Sequence, residues 1–164
     1  MNINLQAIFK LQAILDQQIH KKHHASYLKN RLDLQVALYV ELAECANEIR
    51  SFKFWSYKHA SSNGIIMEEY VDVIHFITSL GIYYKINSIF NITNQKKFKN
   101  NNQITKYLIK LFSTISNITN RKKCYTWYKS FLIFGFKLGF KLDEIIAKYK
   151  IKCRINHQRL QNNY

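Results

Sequence analysis

The sequence predicts an all-α fold, a helical bundle, and three observations carry that expectation. Proline is absent and only four glycines occur in 164 residues, so the tight turns of a many-stranded sandwich or barrel lack their usual residues. Apolar side chains recur at intervals of three and four through much of the chain, the period of helices that bury one face. The length suits one domain over residues 1–164, able to bury a core without disulfide staples, and neither an internal repeat nor a compositional boundary divides it.

A first helix is expected over about residues 3–20, with Leu5, Ile8, Leu15 and Ile19 as its apolar stripe, and a polar turn over 20–26. A second runs from near Asn30 to about Arg50 and buries Leu38, Leu42, Cys45 and Ile49. Residues 56–64, with three serines, Asn63 and Gly64, read as a loop. A third helix covers about 65–84 and buries Val73, Phe76 and Leu80. Residues 85–103 are rich in Asn, Lys and Ile without a clean period and read as loop. Helices return over about 104–117, 122–136 and 141–155, and a polar tail ends at Tyr164.

The net charge of +15 raises the prospect of nucleic acid, because lysines gain from counterion release on phosphates. The lysines, however, are spread along the chain among many Asn and Ile, as in a compositional bias, and a basic chain equally attracts a small polyanion such as a nucleoside triphosphate. Nucleic acid is therefore not the expected partner. A basic helical nucleic-acid binder using Lys96, Lys97, Lys99 and Arg121 to Lys123 stays open as the reading outside enzymes. Cys45, Cys124 and Cys153 have no CxxC spacing, which fits reduced thiols better than a zinc site. The longest apolar run, Phe131 to Phe140, is interrupted by Lys137 and too short to span a bilayer. Asn2, Asn4 and Gln6 break any signal-like start. The expectation is a cytoplasmic protein without a membrane partner.

Acidic residues are scarce, ten against 25 Lys and Arg, yet Glu41, Glu44 and Glu48 share one stripe of the second helix. On the third helix Glu69 has the angular position of Val73, Phe76 and Leu80, with Asp72 one turn on. A carboxylate turned inward is costly without a compensating charge or metal. Two such helices packed antiparallel would gather Glu41, Glu44, Glu69 and Asp72 into an oxygen-only cluster of the kind Mg²⁺ prefers. On spacing alone, a solvated acidic face or salt bridges explains these residues equally well. Gln12 and Asp16 fall on the apolar stripe of the first helix, where polar groups need partners. Lys152, Asn156 and Arg159 share a face if their segment is helical.

The ELAE of Glu41–Glu44 and the EYVD of Glu69–Asp72 resemble the ExxE and ExxD pairs of the MazG-like all-α nucleotide pyrophosphohydrolases. The likeness is stronger to their dimeric dUTPase branch. It runs through four blocks in order: LQAILDQQI at 11–19, VELAECANEIRSFKFWS at 40–56, EEYVDVIHFITSLGI at 68–82 and YKIKCRINHQRLQNNY at 149–164. In the last block Cys153, Leu160 and Asn163 stand where the family carries Asn, Gln and Gly. The resemblance implies a helical bundle of that type and a homodimer that hydrolyses dUTP to dUMP and pyrophosphate in nucleotide-pool sanitation, with dUDP left open as a second substrate. It implies that Glu41, Glu44, Glu69 and Asp72 hold Mg²⁺, or Mn²⁺ in its place, with Glu41 as the candidate general base; Glu48 reads equally as an outer-shell group or as a surface acid beside Arg50 and Lys53. It assigns Lys152, Asn156, Arg159 and Tyr164 to the phosphates, and Gln12, Asp16 and His75 to base and sugar; Trp55, by its aromatic ring, is a candidate surface for stacking the base. Core packing beside Phe52 and Phe54 accounts for Trp55 equally well. A related enzyme acting on dCTP or on several nucleotides would carry the same acids.

Overall fold

The computed structural model describes residues 2–162, so Tyr164 and its expected role lie outside the described residues. In chain order the elements are β1 (Asn2–Asn4), α1 (Gln6–His23), α2 (Tyr27–Ile49), α3 (Asn63–Tyr83), β2 (Ile89–Asn91), α4 (Asn101–Ile115), α5 (Arg121–Leu138) and α6 (Leu142–Gln161). Helix accounts for 71% of the described residues, and the only sheet among them is a two-stranded ribbon. The fold is all-α, as expected.

With proline absent, a serine or asparagine side chain caps the start of three helices. Ser26 Oγ accepts from the Lys29 amide at 3.3 Å, Asn100 Oδ1 from Gln103 at 3.0 Å and Asn120 Oδ1 from Lys123 at 3.0 Å. Each satisfies an amide that the first turn leaves free. Left-handed residues end α1 at His24, α2 at Arg50 and α5 at Gly139.

Several boundaries differ from expectation. α1 continues to His23, through most of the polar stretch read as a turn, and α6 runs on to Gln161. α2 begins at Tyr27, and Asn30, its expected start, is instead a non-helical residue inside it. The Asn30 side chain accepts from the Ser26 amide at 3.2 Å and donates to Asp33 at 2.7 Å, local bonds that compete with the helical pattern. α2 ends at Ile49, beside the expected Arg50, and the Arg50 guanidinium ties down the loop that follows by donating to Lys58 O at 3.1 Å and Ser56 Oγ at 2.7 Å. Residues 2–4 are not helix and 89–91 are not loop: they pair antiparallel with Ile3 opposite Phe90. Both side chains are fully buried, but a three-residue alternation is too short to be read as a period.

α2 and α3 form an antiparallel pair. At one end the Ser61 amide donates to Glu48 O at 3.0 Å, and at the other the Tyr27 and Tyr83 rings lie 6.4 Å apart. α1 and α6 pack on α3 and on each other, while α4 lies against α2 and α5, and α5 against α3. α3 is thus the central helix, with Val71, Val73, Ile74, Ile77 and Leu80 fully buried. Gly135 lets α5 approach it, since a Cβ there would lie 2.5 Å from the Tyr70 ring. That ring stacks on Phe131 at 4.5 Å and its hydroxyl donates to Phe131 O at 3.2 Å.

Candidate active site

Four helices each turn one stripe of side chains toward a shared cavity of about 570 Å³. α1 contributes Gln12, Leu15, Asp16 and Ile19. α2 contributes Tyr27, Asn30, Leu34, Glu41 and Glu44. α3 contributes Glu69, Asp72, His75, Phe76 and Ser79, and α6 contributes Lys152, Asn156 and Arg159. The spacings of three, four and seven are those of single helix faces, so each stripe follows directly from its helix.

The acidic end is a close meeting of two helices. Glu41 of α2 and Glu69 and Asp72 of α3 each bring a carboxylate oxygen within 4.8 Å of the other two. Glu44 also lines the cavity but is exposed and stands outside that trio. Burial, then the charges of Asp72, Glu44 and Glu69, push the Glu41 carboxyl up to about 7. Glu69 is raised by burial and the same kind of repulsion, and Asp72 by burial against the opposing pull of Lys152. A half-buried, oxygen-only group of acids that repel one another is a donor set suited to a hard divalent cation.

α6 brings cations to this end. Lys152 Nζ lies 2.6 Å from Asp72 Oδ2 and 3.4 Å from Glu68 Oε1, and Lys148 Nζ lies 3.1 Å from Glu68 Oε2. Burial disfavours the Lys152 charge, but its bonds to Asp72 and Glu68 leave the ammonium raised above its usual range. Asn156 and Arg159 follow on the same face and line the cavity.

The inner end is a closed hydrogen-bond network. Asp16 Oδ1 accepts from Gln12 Nε2 at 2.7 Å and from Ser79 Oγ at 3.0 Å, and Oδ2 accepts from Tyr27 at 2.7 Å. Burial raises this carboxyl while the three donors oppose the rise. Three donors on one carboxylate orient the Gln12 amide, so that Gln12 Oε1 faces His75 Nδ1 at 2.8 Å and also accepts from the Tyr149 hydroxyl. His75 stacks on Tyr149 with centroids 4.2 Å apart, and burial, then the charge of Lys152, holds it neutral, down to about 3. Nδ1 then carries the hydrogen, and Nε2 is a buried lone pair without a partner among the described residues.

The predicted residues Gln12, Asp16, Glu41, Glu44, Glu69, Asp72, His75, Lys152, Asn156 and Arg159 therefore meet around one cavity. Glu48 and Trp55 are not in its lining. Glu48 is bonded to Ser61 and to Asn47 at the end of α2, and Trp55 is 63% exposed on the following loop against Phe52 and Phe54. Four residues of this region were not singled out from sequence: Tyr27, Glu68, Ser79 and Tyr149. Periodicity held a signal for two of them, since Ser79 lies seven residues after Asp72 and Tyr149 three before Lys152.

No curated protein matches the chain in sequence. The sequence model of the dUTPase family matches residues 4–164, which takes in all four stripes and the helices that carry them. A match of that extent, on a fold that is helical throughout, means that the chain belongs to the all-α dUTPase family and is an enzyme of the dUTP diphosphatase class.

Proposed function

We propose that this chain is a Mg²⁺-dependent dUTP diphosphatase that yields dUMP and pyrophosphate, also accepts dUDP, and serves to keep uracil nucleotides out of the pool for DNA synthesis. The convergence of Glu41, Glu69 and Asp72 from two helices at the mouth of a nucleotide-sized cavity carries the reading. Glu41, Glu44, Glu69 and Asp72 are the residues that would hold Mg²⁺, or Mn²⁺ in its place. Bound there, the ion would supply charge neutralisation on the triphosphate and a more acidic attacking water.

The chain's own groups supply the rest. Glu41 takes the proton of the attacking water, the part of a general base placed among the acids of the cluster. Lys152, Asn156 and Arg159 grip phosphate oxygens, the arginine through its fork. Gln12 and Asp16 shape the inner end for the uracil. His75 offers Nε2 as an acceptor, and ionised dUTP has two donors that could meet it, the uracil N3–H and the deoxyribose 3′-hydroxyl. Glu48 acts through the loop that it ties to α2, and Trp55 reaches a base only if that loop folds over the mouth.

The same reading includes a homodimer. Leu28, Leu32, Val36 and Val40 lie one turn apart along α2, exposed at 77%, 62%, 61% and 48%. Such a ridge is an unusual thing to leave in water, and a second copy of the chain is the occupant that family membership favours. Buried free thiols at Cys45, Cys124 and Cys153 suit a reducing compartment, which supports a cytoplasmic enzyme. No helix among the described residues is long and apolar enough to cross a membrane.

A panel of dUTP, dUDP, dCTP and dTTP, assayed with Mg²⁺ and again with excess EDTA, tests the proposal. Turnover confined to the uracil nucleotides and abolished by EDTA is expected. Hydrolysis of dCTP or dTTP at the dUTP rate, or activity that survives EDTA, overturns it. Glu44→Gln and Asp72→Asn should each remove turnover and leave the helical circular dichroism signal intact.

A further inference from the structure

Glu68 carries no role in the reading above, yet it is the residue around which the cationic edge of the site is organised. On α3, Glu68 and Asp72 are one turn apart; on α6, Lys148 and Lys152 are one turn apart. The two pairs face each other as a short ladder: Lys148 to Glu68 at 3.1 Å, Lys152 to Glu68 at 3.4 Å and Lys152 to Asp72 at 2.6 Å. The Lys152–Asp72 rung is well covered, with side chains 12% and 14% exposed, whereas Glu68 is 42% exposed. Glu68 bridges both lysines, which makes it a standing second partner for Lys152.

Asp72 is claimed twice. Its carboxylate belongs to the oxygen trio that suits a divalent cation, and the same carboxylate holds Lys152 most tightly. A lysine left on Asp72 would neutralise a metal-binding acid, and a lysine with no second partner would have no reason to stay at the cavity edge. We propose that Glu68 is a positioning residue: it retains Lys152 beside the cavity when Asp72 turns to the metal, so that the ammonium passes to Glu68 and the triphosphate instead of leaving. This rests on the nucleotide reading given above and adds to it a coupling between metal and substrate. Removing Glu68 leaves Lys152 on Asp72 alone, where it competes harder with a cation. Removing Lys152 frees Asp72 but takes away a phosphate contact.

The test is titration of Mn²⁺ alone, followed by paramagnetic resonance, and of α,β-imido-dUTP with Mg²⁺, followed by calorimetry, on the wild type, Glu68→Gln, Glu68→Asp and Lys152→Met. Glu68→Gln should weaken both Mn²⁺ and nucleotide, each by about tenfold, the scale of one charge-assisted hydrogen bond. Its kcat at saturating Mg²⁺ and dUTP should stay at the wild-type value. Lys152→Met should split the two readouts, binding Mn²⁺ more tightly and nucleotide less tightly, and Glu68→Asp should recover most of both affinities. A Glu68→Gln protein with wild-type affinities, or one whose kcat falls at saturation, overturns the proposal. A loss of thermal stability without those affinity changes also overturns it, because Glu68 is then only a strut between α3 and α6. A wild type that binds neither Mn²⁺ nor the nucleotide removes the functional reading itself, and this inference with it.

Discussion

At the scale of single residues, Glu41 and His75 give the protein opposite responses to pH. Burial and neighbouring charge raise Glu41 from 4.5 to about 7, so between those values the metal-free folded chain keeps a proton that the unfolded chain releases. The stability from this group is present in full below 4.5 and is lost as the pH rises through about 7. His75 works the other way. Buried and neutral, with its value lowered from 6.5 to about 3, it contributes stability above 6.5 that is lost as the pH falls toward 3. Glu41→Gln removes only the first effect. Thermal melts of metal-free wild type and variant should diverge between pH 4.5 and 7, the variant becoming the more stable toward the upper end; parallel curves would show that Glu41 is not perturbed. The same variant should lose about 10²- to 10⁴-fold in kcat, the usual range for removing a general base.

At the scale of elements, the approach of α5 to α3 depends on the absence of a side chain. Gly135→Ala would place a methyl 2.5 Å from the Tyr70 ring, and this overpacking should cost about 1–3 kcal/mol in urea unfolding. Gly64, near the start of α3, has nothing closer than Ser62 Oγ at 4.0 Å. Gly64→Ala should therefore be neutral or add up to about 1 kcal/mol, since alanine loses less backbone entropy in a helix. The helices themselves were legible because each repeats an apolar stripe over many turns, and the acids because Glu69 and Asp72 sit on or beside such a stripe in a chain poor in acid. The inner network was half legible. Gln12 and Asp16 announced themselves as polar groups on a buried face, but their partners Tyr27 and Tyr149 come from other helices, and no spacing within one helix names a partner on another. The β1–β2 ribbon was not legible at all, because three residues do not establish a period.

At the scale of the whole molecule, α2 has one face on the acidic cluster and another in the Leu28–Val40 ridge. If that ridge is the contact between two copies, Leu32→Glu combined with Val36→Glu should shift sedimentation from dimer to monomer without loss of helicity. A wild type that sediments as a monomer at all concentrations would dismiss the interface. The ribbon that closes Ile3 against Phe90 has a consequence of a different kind. The two strands are more than half the chain apart, and the Leu5 amide that follows β1 donates to Ser88 O at 2.9 Å. While the ribosome is still producing the sequence, α1 has nothing to clasp its leading end until residue 90 has emerged. The helix that bears Gln12 and Asp16 should thus be the last of the cavity walls before α6 to settle, and its amides should be the first of the cavity-lining helices to lose deuterium protection when β1 is trimmed away.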